Sequence, residues 1–413
     1  MTLAHQARPR AVRIDAPSRA KSPHLDWLLM FAVAGLLVLG TLLVWSATVA
    51  RDDLTDGDPN SYLKKQLVNI AIGIVLGVMI TATDYRWVRI LAPLVYLSSV
   101  IGLALVLVMG STINGSRSWL EIGSMSIQPA EFTKLAVIIG MALLVAERTE
   151  GSLKGSGVKH LEVLGVLVIA GIPAVLILLQ PDLGTMLVLS ATVFGVVAVS
   201  GAPRGWLLGL AGGVVVASVL AVRLGVLAEY QLDRFLAFTN PELDPLGAGY
   251  NTTQARIAIG NGGVFGQGLF DGSQTNSGFV PEQHTDFIFT VAGEELGLVG
   301  SAVLIALLGV VLWRALGIAA HADDLFGRLA AGGIACWFGF QAFQNIGMCL
   351  GIMPVTGVPL PLVSYGGSSM FASLMAIGLL QNIHLRTKRT VGRSAALGSG
   401  VGAARSRLVR SRF

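Results

Sequence analysis

The chain has 413 residues, of which 53% are hydrophobic and only 13% are charged, with 51 glycines and a mean hydropathy of +0.70. Soluble domains carry about 25% charged residues, so this composition excludes a soluble enzyme and, by the same figures, a disordered chain. The net charge of +5 does not indicate nucleic-acid binding, because the basic residues collect in two tails that flank the apolar part of the chain and suit anionic lipid.

Apolar stretches of membrane-spanning length recur along the chain, and each must be helical because lipid offers the backbone no hydrogen-bond partner. They predict an all-α integral membrane protein of about ten transmembrane helices. We expect a basic tail over 1–25, a polytopic membrane domain over 26–385 and a second basic tail over 386–413. The predicted spans are 26–48, 66–83, 89–109, 130–146, 163–180, 183–200, 205–225, 287–313, 327–351 and 365–384.

The distribution of positive charge predicts the orientation of these spans. If the N-terminus is cytoplasmic, 21 of the 29 Lys and Arg residues lie in cytoplasmic segments, as the positive-inside rule requires. We therefore expect both termini in the cytoplasm. The connection over 226–286, between the seventh and eighth spans, is then extracytoplasmic, and its aromatic and apolar residues indicate an ordered loop.

Charged residues inside the fourth predicted span are the first candidate functional group. Glu131 and Lys134 stand three residues apart and share one helix face. An ion pair at that depth is costly, and two interpretations are open: a structural pair between helices, or the wall of a polar cavity that meets a charged substrate. Arg117 and Gln128 belong to the outer connection that leads into this pair.

Two aspartates mark the outer ends of other spans. Asp182 follows Pro181 between two apolar stretches, and Asp286 lies where the long loop meets the eighth span. Each is either the N-cap of the helix that follows or a carboxylate at the mouth of an outer cavity. In the second case Asp286 could accept a proton or hold a metal ion.

The connection before the last span has three prolines in eight residues, Pro354, Pro359 and Pro361, and cannot be helical. Irregular backbone near membrane depth is tolerated only when it is buried or lines a cavity. Three outer connections therefore carry polar segments shaped by Pro and Gly. An outward-facing site is the simplest common cause.

Three motifs, in this order, resemble the SEDS family, which comprises RodA, FtsW and SpoVE, and the resemblance covers about residues 26–385. Segments within 244–260 and 347–357 resemble the RodA branch more than FtsW. Two positions depart from the family pattern: Ser118 stands where a second Arg often precedes Trp119, which argues against a paired-arginine phosphate clamp, and Asn261 replaces a frequent Ser. The motifs are Gln180-Pro181-Asp182-Leu183-Gly184-Thr185, Pro281-Glu282-Gln283-His284-Thr285-Asp286-Phe287-Ile288-Phe289 with Glu294-Glu295-Leu296-Gly297, and Pro354-Val355-Thr356-Gly357 through Ser364-Tyr365-Gly366-Gly367-Ser368-Ser369.

The resemblance implies a peptidoglycan glycosyltransferase of the bacterial plasma membrane, which polymerises lipid II into glycan strands during cell elongation and releases undecaprenyl pyrophosphate. It implies that Asp286 is the essential carboxylate, as the base for the acceptor hydroxyl. A helix N-terminus would lower the pKa of Asp286, so a divalent cation (Mg or Mn) held by Asp286 is the rival role. No organic cofactor is implied. Lys134 with Glu131, then Arg117 and Arg256, are the candidate contacts to the pyrophosphate.

The resemblance also implies a partner, a class B penicillin-binding protein, since this chain contains no transpeptidase domain. Two other functions are open: a lipid II flippase, and a non-enzymatic scaffold for that partner. The polar irregular segments all lie on the predicted outer side, which favours an outward-facing enzyme. If Asp286 is not the essential carboxylate, Glu282 and Asp182 are the next candidates.

Overall fold

A computed structural model describes residues 24–55, 57–113, 116–122, 125–150, 158–225, 234, 238 and 247–387. Residues Leu25–His384 form one compact unit. Nearly all of the two predicted basic tails lies outside the described residues. So does most of the first half of the 226–286 loop, including the RodA-like segment that begins at Asp244. The second half of that loop is ordered, as predicted.

The described part of the chain is helical throughout its apolar stretches, and ten long helices correspond to the ten predicted spans. Seven of these are both long and apolar enough to cross a membrane, and α7 is equally apolar but has only 17 residues. The helices are α1 (Trp27–Val49), α2 (Asp52–Thr55), α3 (Ser61–Ala82), α4 (Tyr85–Met109), α5 (Pro129–Glu150), α6 (His160–Leu179), α7 (Leu183–Val199), α8 (Arg204–Arg223), α9 (Ala248–Gly262), α10 (Ser273–Ser277), α11 (Ile288–Glu295), α12 (Gly297–His321), α13 (Leu325–Leu350) and α14 (367–387).

Aspartate side chains begin four of the long helices. Asp26, Asp84, Asp182 and Asp324 each accept a hydrogen bond from a backbone amide in the first turn of α1, α4, α7 and α13. An N-cap of this kind satisfies one of the amides that a helix start leaves unpaired. The polar caps therefore fix where each apolar segment begins.

The eighth predicted span, 287–313, is not one continuous helix, and this prediction is wrong in that respect. Gly297, the first residue of α12, adopts a left-handed φ of +66° and marks the break after α11, as glycine commonly does where a helix ends. The amides of Leu298 and Val299, at the start of α12, donate instead to the carbonyls of Gly263 and Val264 in the long loop. The loop thus replaces the helical hydrogen bonds that the break removes.

Packing divides the helices into a core and a periphery. Helices α5, α7 and α13 pack on one another, and about nine-tenths of the apolar window of α5 is buried. Helix α8 has no buried residue. Small residues allow the close approach in the core: Gly195 of α7 lies directly against Cys336 of α13.

The connection between α4 and α5 contains a small antiparallel sheet that the all-α prediction did not include. Strands β1 (Ser111–Ile113), β2 (Ser116–Ile122) and β3 (Met125–Ile127) pair in the order β1-β2-β3. Short strands of this length carry little hydropathy signal, so the sequence indicated only a connection. The sheet leads directly into α5.

The two ends of the bundle differ. One end of the bundle, here called the terminal end, contains the start of α1 and the end of α14. It is closed by hydrogen bonds between polar groups of different helices, here called clasps. Arg314 Nε donates to Asp26 Oδ2 (2.8 Å), and the Gln381 side chain both donates to and accepts from the backbone of Asp26 (3.1 and 3.0 Å). Asn382 Nδ2 donates to the carbonyls of Ile80 and Thr83 at the end of α3 (2.7 Å each). The opposite end, the loop end, carries the 247–287 and 351–366 connections.

Candidate active site

A polar cavity of about 210 Å³ lies at the loop end, and the three motifs all contribute to it. Its wall contains the acidic residues Asp182, Glu282 and Asp286. The lining residues are Ser118, Trp119, Gln128, Pro181, Asp182, Leu183, Arg234, Glu282, Thr285, Asp286, Thr356, Gly357, Pro359, Tyr365, Gly366, Ser368 and Ser369.

Asp286 is held at this cavity by a tight turn. The amides of Thr285, Asp286 and Phe287 all donate to the carbonyl of Glu282 (3.2, 3.0 and 3.2 Å). Glu282 itself has a φ of +49°, a left-handed conformation that is strained for a residue other than glycine. Helix α11 begins at Ile288 with Phe287 as the N-cap residue and no side-chain cap. The N-cap interpretation of Asp286 is therefore excluded.

The Asp286 carboxylate is poorly solvated and close to another acid. Burial raises its pKa to about 7, and the negative charge of Glu282 acts in the same direction, whereas Arg234 lowers it. Within the described residues, no donor reaches the carboxylate. Gly357 lies so close that a Cβ there would be 3.2 Å from Asp286 Oδ2. A carboxyl group that titrates near neutral pH is suited to general-base catalysis.

Asp182 combines the two interpretations that the sequence left open. Its carboxylate caps α7 by accepting from Thr185 N (2.9 Å) and Thr185 Oγ1 (2.8 Å), and it also lines the cavity. Burial raises its pKa, and the two bonds from Thr185 partly offset this. Gln128 Nε2 lies 3.4 Å from Asp182 Oδ2, and Gln128 N donates to Ser368 Oγ (2.9 Å). Gln128 and Asp182 thus lie together, as expected for one site.

Glu131 and Lys134, the first-ranked substrate contacts, are not among the lining residues. Their side chains are 3% and 1% exposed and form an ion pair of 2.7 Å. Lys134 Nζ also donates to Gln341 Oε1 (2.9 Å) and lies 5.2 Å from the centre of the Trp337 ring. This geometry is that of a structural ion pair within α5 that also bonds α5 to α13 through Gln341.

Arg117 and Arg256 use their guanidinium groups elsewhere, which corrects their predicted placement. Arg117 donates to the carbonyls of Gly110 (2.8 Å) and Val108 (2.9 Å) at the end of α4. Arg256 Nη2 donates to the carbonyl of Gly351 (3.1 Å) at the end of α13. Both cap helix C-termini, where cations are favoured, and neither lines the cavity.

Arg234 is the cation that sequence reasoning missed. It is the one basic residue among the described lining residues, and its charge acts on Asp286. In the sequence it lies in the long loop, outside the three motifs, so its position offered no local signal. Glu282 and Tyr365 also line the cavity, and both lie within the motifs.

The lining fits a divalent cation only in part. In the residues that the structure describes, no group of three His, Cys, Asp or Glu side chains is arranged to hold a metal ion. Mg²⁺ is commonly bound by one or two carboxylates with substrate phosphates completing the shell. Asp286 and Asp182 are the carboxylates of the wall that could contribute in this way.

A second cavity of about 470 Å³ lies between α6, α7 and α8 and is almost wholly apolar. Leu183 at the start of α7 lines the polar cavity, and Leu187 lines the apolar one. Four helical residues correspond to about 6 Å, so the two cavities are neighbours along α7. This arrangement suits a ligand with a polar head and an apolar chain.

Known proteins resemble this chain over nearly its whole length. Residues 27–389 match the family model of FtsW, RodA and SpoVE, described as cell cycle protein. The chain is 38% identical over 367 residues to the peptidoglycan glycosyltransferase MrdB of Escherichia coli K12, covering 88% of this chain and 95% of that protein. It is 37% identical over 365 residues to stage V sporulation protein E of Bacillus subtilis, covering 87% and 96%.

Two solved structures are similar in both sequence and fold. One belongs to a peptidoglycan synthase complex that coordinates polymerization and crosslinking. It is 33% identical to this chain and has a TM-score of 0.72, and the match covers 88% of this chain and 98% of that one. The other is the rod shape determining protein RodA of Thermus thermophilus, at 32% identity, a TM-score of 0.63 and coverage of 87% and 96%. Both support the all-α membrane fold.

Proposed function

We propose, from the premise that this chain belongs to the FtsW, RodA and SpoVE family and is a peptidoglycan glycosyltransferase, that it polymerises lipid II at the polar cavity of the loop end. One observation carries the assignment of the site. A carboxylate without a hydrogen-bond donor among the described residues, Asp286, lines a polar cavity together with a cation, Arg234. The sequence motifs of the family meet at the same cavity.

The chemistry follows from these two side chains. The acceptor hydroxyl attacks the anomeric carbon of the donor sugar, a new carbon–oxygen bond forms, and the bond to undecaprenyl pyrophosphate breaks. Asp286 takes the proton of the hydroxyl, which its pKa of about 7 suits. Arg234 is placed to stabilise the negative charge of the leaving pyrophosphate. A cation bound by Asp286 and the pyrophosphate would add charge stabilisation there.

A lipid-linked substrate is supported by the neighbouring cavity. The apolar cavity between α6, α7 and α8 begins about one helical turn beyond the polar one along α7. An undecaprenyl chain is apolar and long, and its pyrophosphate is polar. The two cavities therefore match the two parts of lipid II.

The test is Asp286→Asn in purified protein, assayed for polymerisation of lipid II in detergent without sealed vesicles. The variant should fold, because Asp286 caps no helix, and turnover should fall by about 10²–10⁴. Asp271→Asn is the matched control, since it makes the same change in the same loop outside the cavity lining. Turnover above about a third of normal would end the assignment, and Glu282 would be examined next.

A second comparison separates the base from a metal ligand. If Asp286 holds a divalent cation, raising Mg²⁺ or Mn²⁺ should partly restore the Asp286→Asn variant, because the remaining ligands still bind it weakly. If Asp286 is the base, added cation should leave the variant inactive. Independently, the activity of the unmodified enzyme is measured after a chelator removes divalent cations. Activity should be lost if a bound cation is needed and kept if it is not.

We propose a class B penicillin-binding protein as the partner, which supplies the crosslinking activity. A similar chain of known structure belongs to a synthase complex of polymerization and crosslinking. Helices α12 and α13 expose large apolar side chains, among them Trp313 and Phe343, which offer a surface for a single membrane span. Ala substitutions there should reduce co-purification of the partner in mild detergent, whereas Val215→Ala on α8 should not.

We also propose a role in cell elongation and an orientation in the membrane with both termini in the cytoplasm. RodA-like segments favour elongation, so depletion should produce round cells; filaments would indicate division instead. The positive-inside distribution favours cytoplasmic termini. An impermeant thiol reagent should label Asn276→Cys and not Gly398→Cys in intact cells, and equal labelling would contradict this topology.

A further inference from the structure

Three side-chain amides on α13 share one face of the helix. Gln341, Gln344 and Asn345 follow the spacing i, i+3 and i+4 and are all completely buried. Amides buried in this way are costly unless they are hydrogen-bonded. Their partners therefore show what the face is built to hold.

All three amides donate to the proline-containing link over residues 354–359. Gln341 Nε2 donates to the carbonyl of Pro359 (2.8 Å), and Asn345 Nδ2 to that of Val358 (2.7 Å). Gln344 Nε2 lies 3.1 Å from Thr356 Oγ1. Because the link is neither helix nor strand and its prolines have no N–H, α13 supplies the donors that its carbonyls need.

Asn345 makes a second hydrogen bond, to the turn that carries Asp286. The same Nδ2 atom donates to the carbonyl of Asp286 (2.7 Å) as well as to that of Val358. One buried amide thus joins the turn that carries Asp286 to the link that forms the facing wall. A Cβ added at Gly357, in that link, would lie 3.2 Å from Asp286 Oδ2, so the link approaches the carboxylate closely.

Gln341 connects this arrangement to the buried ion pair. Its Oε1 accepts from Lys134 Nζ (2.9 Å) and from Trp337 Nε1 (2.6 Å). Two donors on the oxygen fix the orientation of the amide, so the nitrogen must point to Pro359. Lys134 therefore orients a residue that holds the cavity wall.

We propose that Asn345 and Gln341 are positioning residues that set the Asp286 turn against the 354–359 wall, and that Lys134 acts through Gln341 rather than by contacting substrate. This inference rests on the proposed role of Asp286. It explains why the Glu131–Lys134 ion pair, which does not line the cavity, is linked to the wall residue Pro359 by two successive hydrogen bonds through Gln341.

The terminal end offers a matched control. Asn382 is also a buried amide, and its Nδ2 donates to backbone carbonyls at the end of α3. Asn345→Ala and Asn382→Ala should lower the melting temperature by similar amounts, since each leaves two or more carbonyls unsatisfied. Only Asn345→Ala should lower kcat, by at least tenfold per folded molecule. A kcat within twofold of normal for Asn345→Ala would overturn the proposal.

The pH dependence of kcat separates positioning from a purely structural role, because a loss of stability alone does not move the pH profile. Glu282, Arg234, Asp182 and Glu131 are the charged groups that act on Asp286. Releasing the turn by Asn345→Ala should admit water to the carboxyl group and move the acid limb of the profile to lower pH. Asn382→Ala should leave the limb in place. An unchanged limb in Asn345→Ala would count against positioning.

If the Asn345→Ala variant does not fold, the more conservative variant Asn345→Ser takes its place. A hydroxyl has one donor instead of two, so activity should be intermediate. Activity no better than a poorly folded Asn345→Ala would contradict a role for the donated bonds.

Lys134 is tested by the Glu131→Gln/Lys134→Met double variant, which leaves no unpaired charge. The proposal expects a lower kcat with KM for lipid II unchanged. A raised KM with normal kcat would show that Lys134 binds substrate and would overturn its part of the proposal.

The result of Asp286→Asn separates this inference from the proposed function. If that variant is active, the role of Asp286 fails. The kcat contrast between Asn345→Ala and Asn382→Ala still decides whether the wall needs α13.

Discussion

The loop end and the terminal end of the bundle are built from the same parts and use them differently. Each has a buried Asn that donates to backbone carbonyls, Asn345 or Asn382, and each has an aspartate shortly before the start of a helix, Asp286 or Asp26. At the terminal end, Asp26 is bonded to Arg314 and to the Leu29 amide. At the loop end, no described donor bonds to the Asp286 carboxylate. The aspartate of the terminal end is therefore held by other protein groups, whereas Asp286 at the loop end lines the cavity.

The two aspartates differ in pKa for this reason. Burial raises the pKa of Asp26, but its bonds with Arg314 and the Leu29 amide outweigh burial and leave the value below the usual 3.8. Burial and Glu282 raise the pKa of Asp286 to about 7. Asp26 is therefore charged near pH 7, whereas Asp286 is close to the midpoint of its titration there.

The largest effect on stability should come from breaking the fully buried ion pair. Lys134→Met leaves the Glu131 carboxylate buried and uncompensated, which costs about 3–5 kcal/mol of unfolding free energy. Arg314→Met breaks a pair whose Arg is 26% exposed, and should cost about 1–3 kcal/mol. Thermal unfolding in detergent measures both. Equal losses would contradict the expected effect of the deeper burial of the Glu131–Lys134 pair.

Activity should respond most to the cation that faces the cavity. Arg234→Gln should lower turnover by about 10²–10³, the usual effect of losing one group that stabilises developing negative charge. Arg256→Gln is the control, because that guanidinium is used to cap α13. A normal rate for Arg234→Gln in the polymerisation assay would remove Arg234 from the mechanism.

Stability should depend on pH in opposite directions at the two ends. The raised pKa of Asp286 means that its contribution is full below about pH 4 and is lost as pH rises through 7. Asp286→Asn should therefore raise Tm by several degrees at pH 8 and not at pH 4. Asp26→Asn should lower Tm at pH 7, and the difference should close below pH 4, since the pKa of Asp26 is lowered. Parallel profiles for the two variants would contradict the comparison.

The smallest effects should come from the two arginines that cap helices. Arg117→Gln and Arg256→Gln each remove charged bonds to carbonyls at exposed sites, which should cost about 0.5–1 kcal/mol of stability. Polymerisation per folded molecule should stay within about twofold. A tenfold loss of polymerisation in either variant would restore its predicted pyrophosphate contact.

The membrane helices were predictable because lipid forces apolar segments of this length to be helical. The break at Gly297 was not, because the residues on both sides are compatible with helix and the loop carbonyls that replace the missing bonds, those of Gly263 and Val264, lie far away in the sequence. The sheet over 111–127 is set by pairing across short strands, which hydropathy does not register.

In the site, Asp182 and Asp286 were expected at an outward-facing cavity from two of the motifs, and Gln128 from the outer connection before the fourth span; all three line one cavity in the structure. The cations were harder to place. The partner of Lys134 on another helix, Gln341, is distant in the sequence. The guanidinium groups of Arg117 and Arg256 bond to carbonyls at helix ends, and no local pattern reveals which carbonyl a guanidinium will reach. Arg234 reaches the cavity through a loop whose path the sequence does not specify.

The clasps of the terminal end bear on the flippase alternative. A transporter must open at both ends in turn, and opening here would break the bonds of Arg314, Gln381 and Asn382 together. The cavity of the loop end needs no such change for polymerisation. The closed terminal end therefore favours the enzyme.

The meeting of Gly266 and Gly297 limits how this protein can be redesigned. Both have left-handed φ values, and a Cβ on either would collide with backbone of the other segment. Chimeras that exchange the long loop between relatives must therefore carry 263–268 and 294–299 as one cassette. A graft that separates them would join segments whose backbones no longer fit, however similar their side chains.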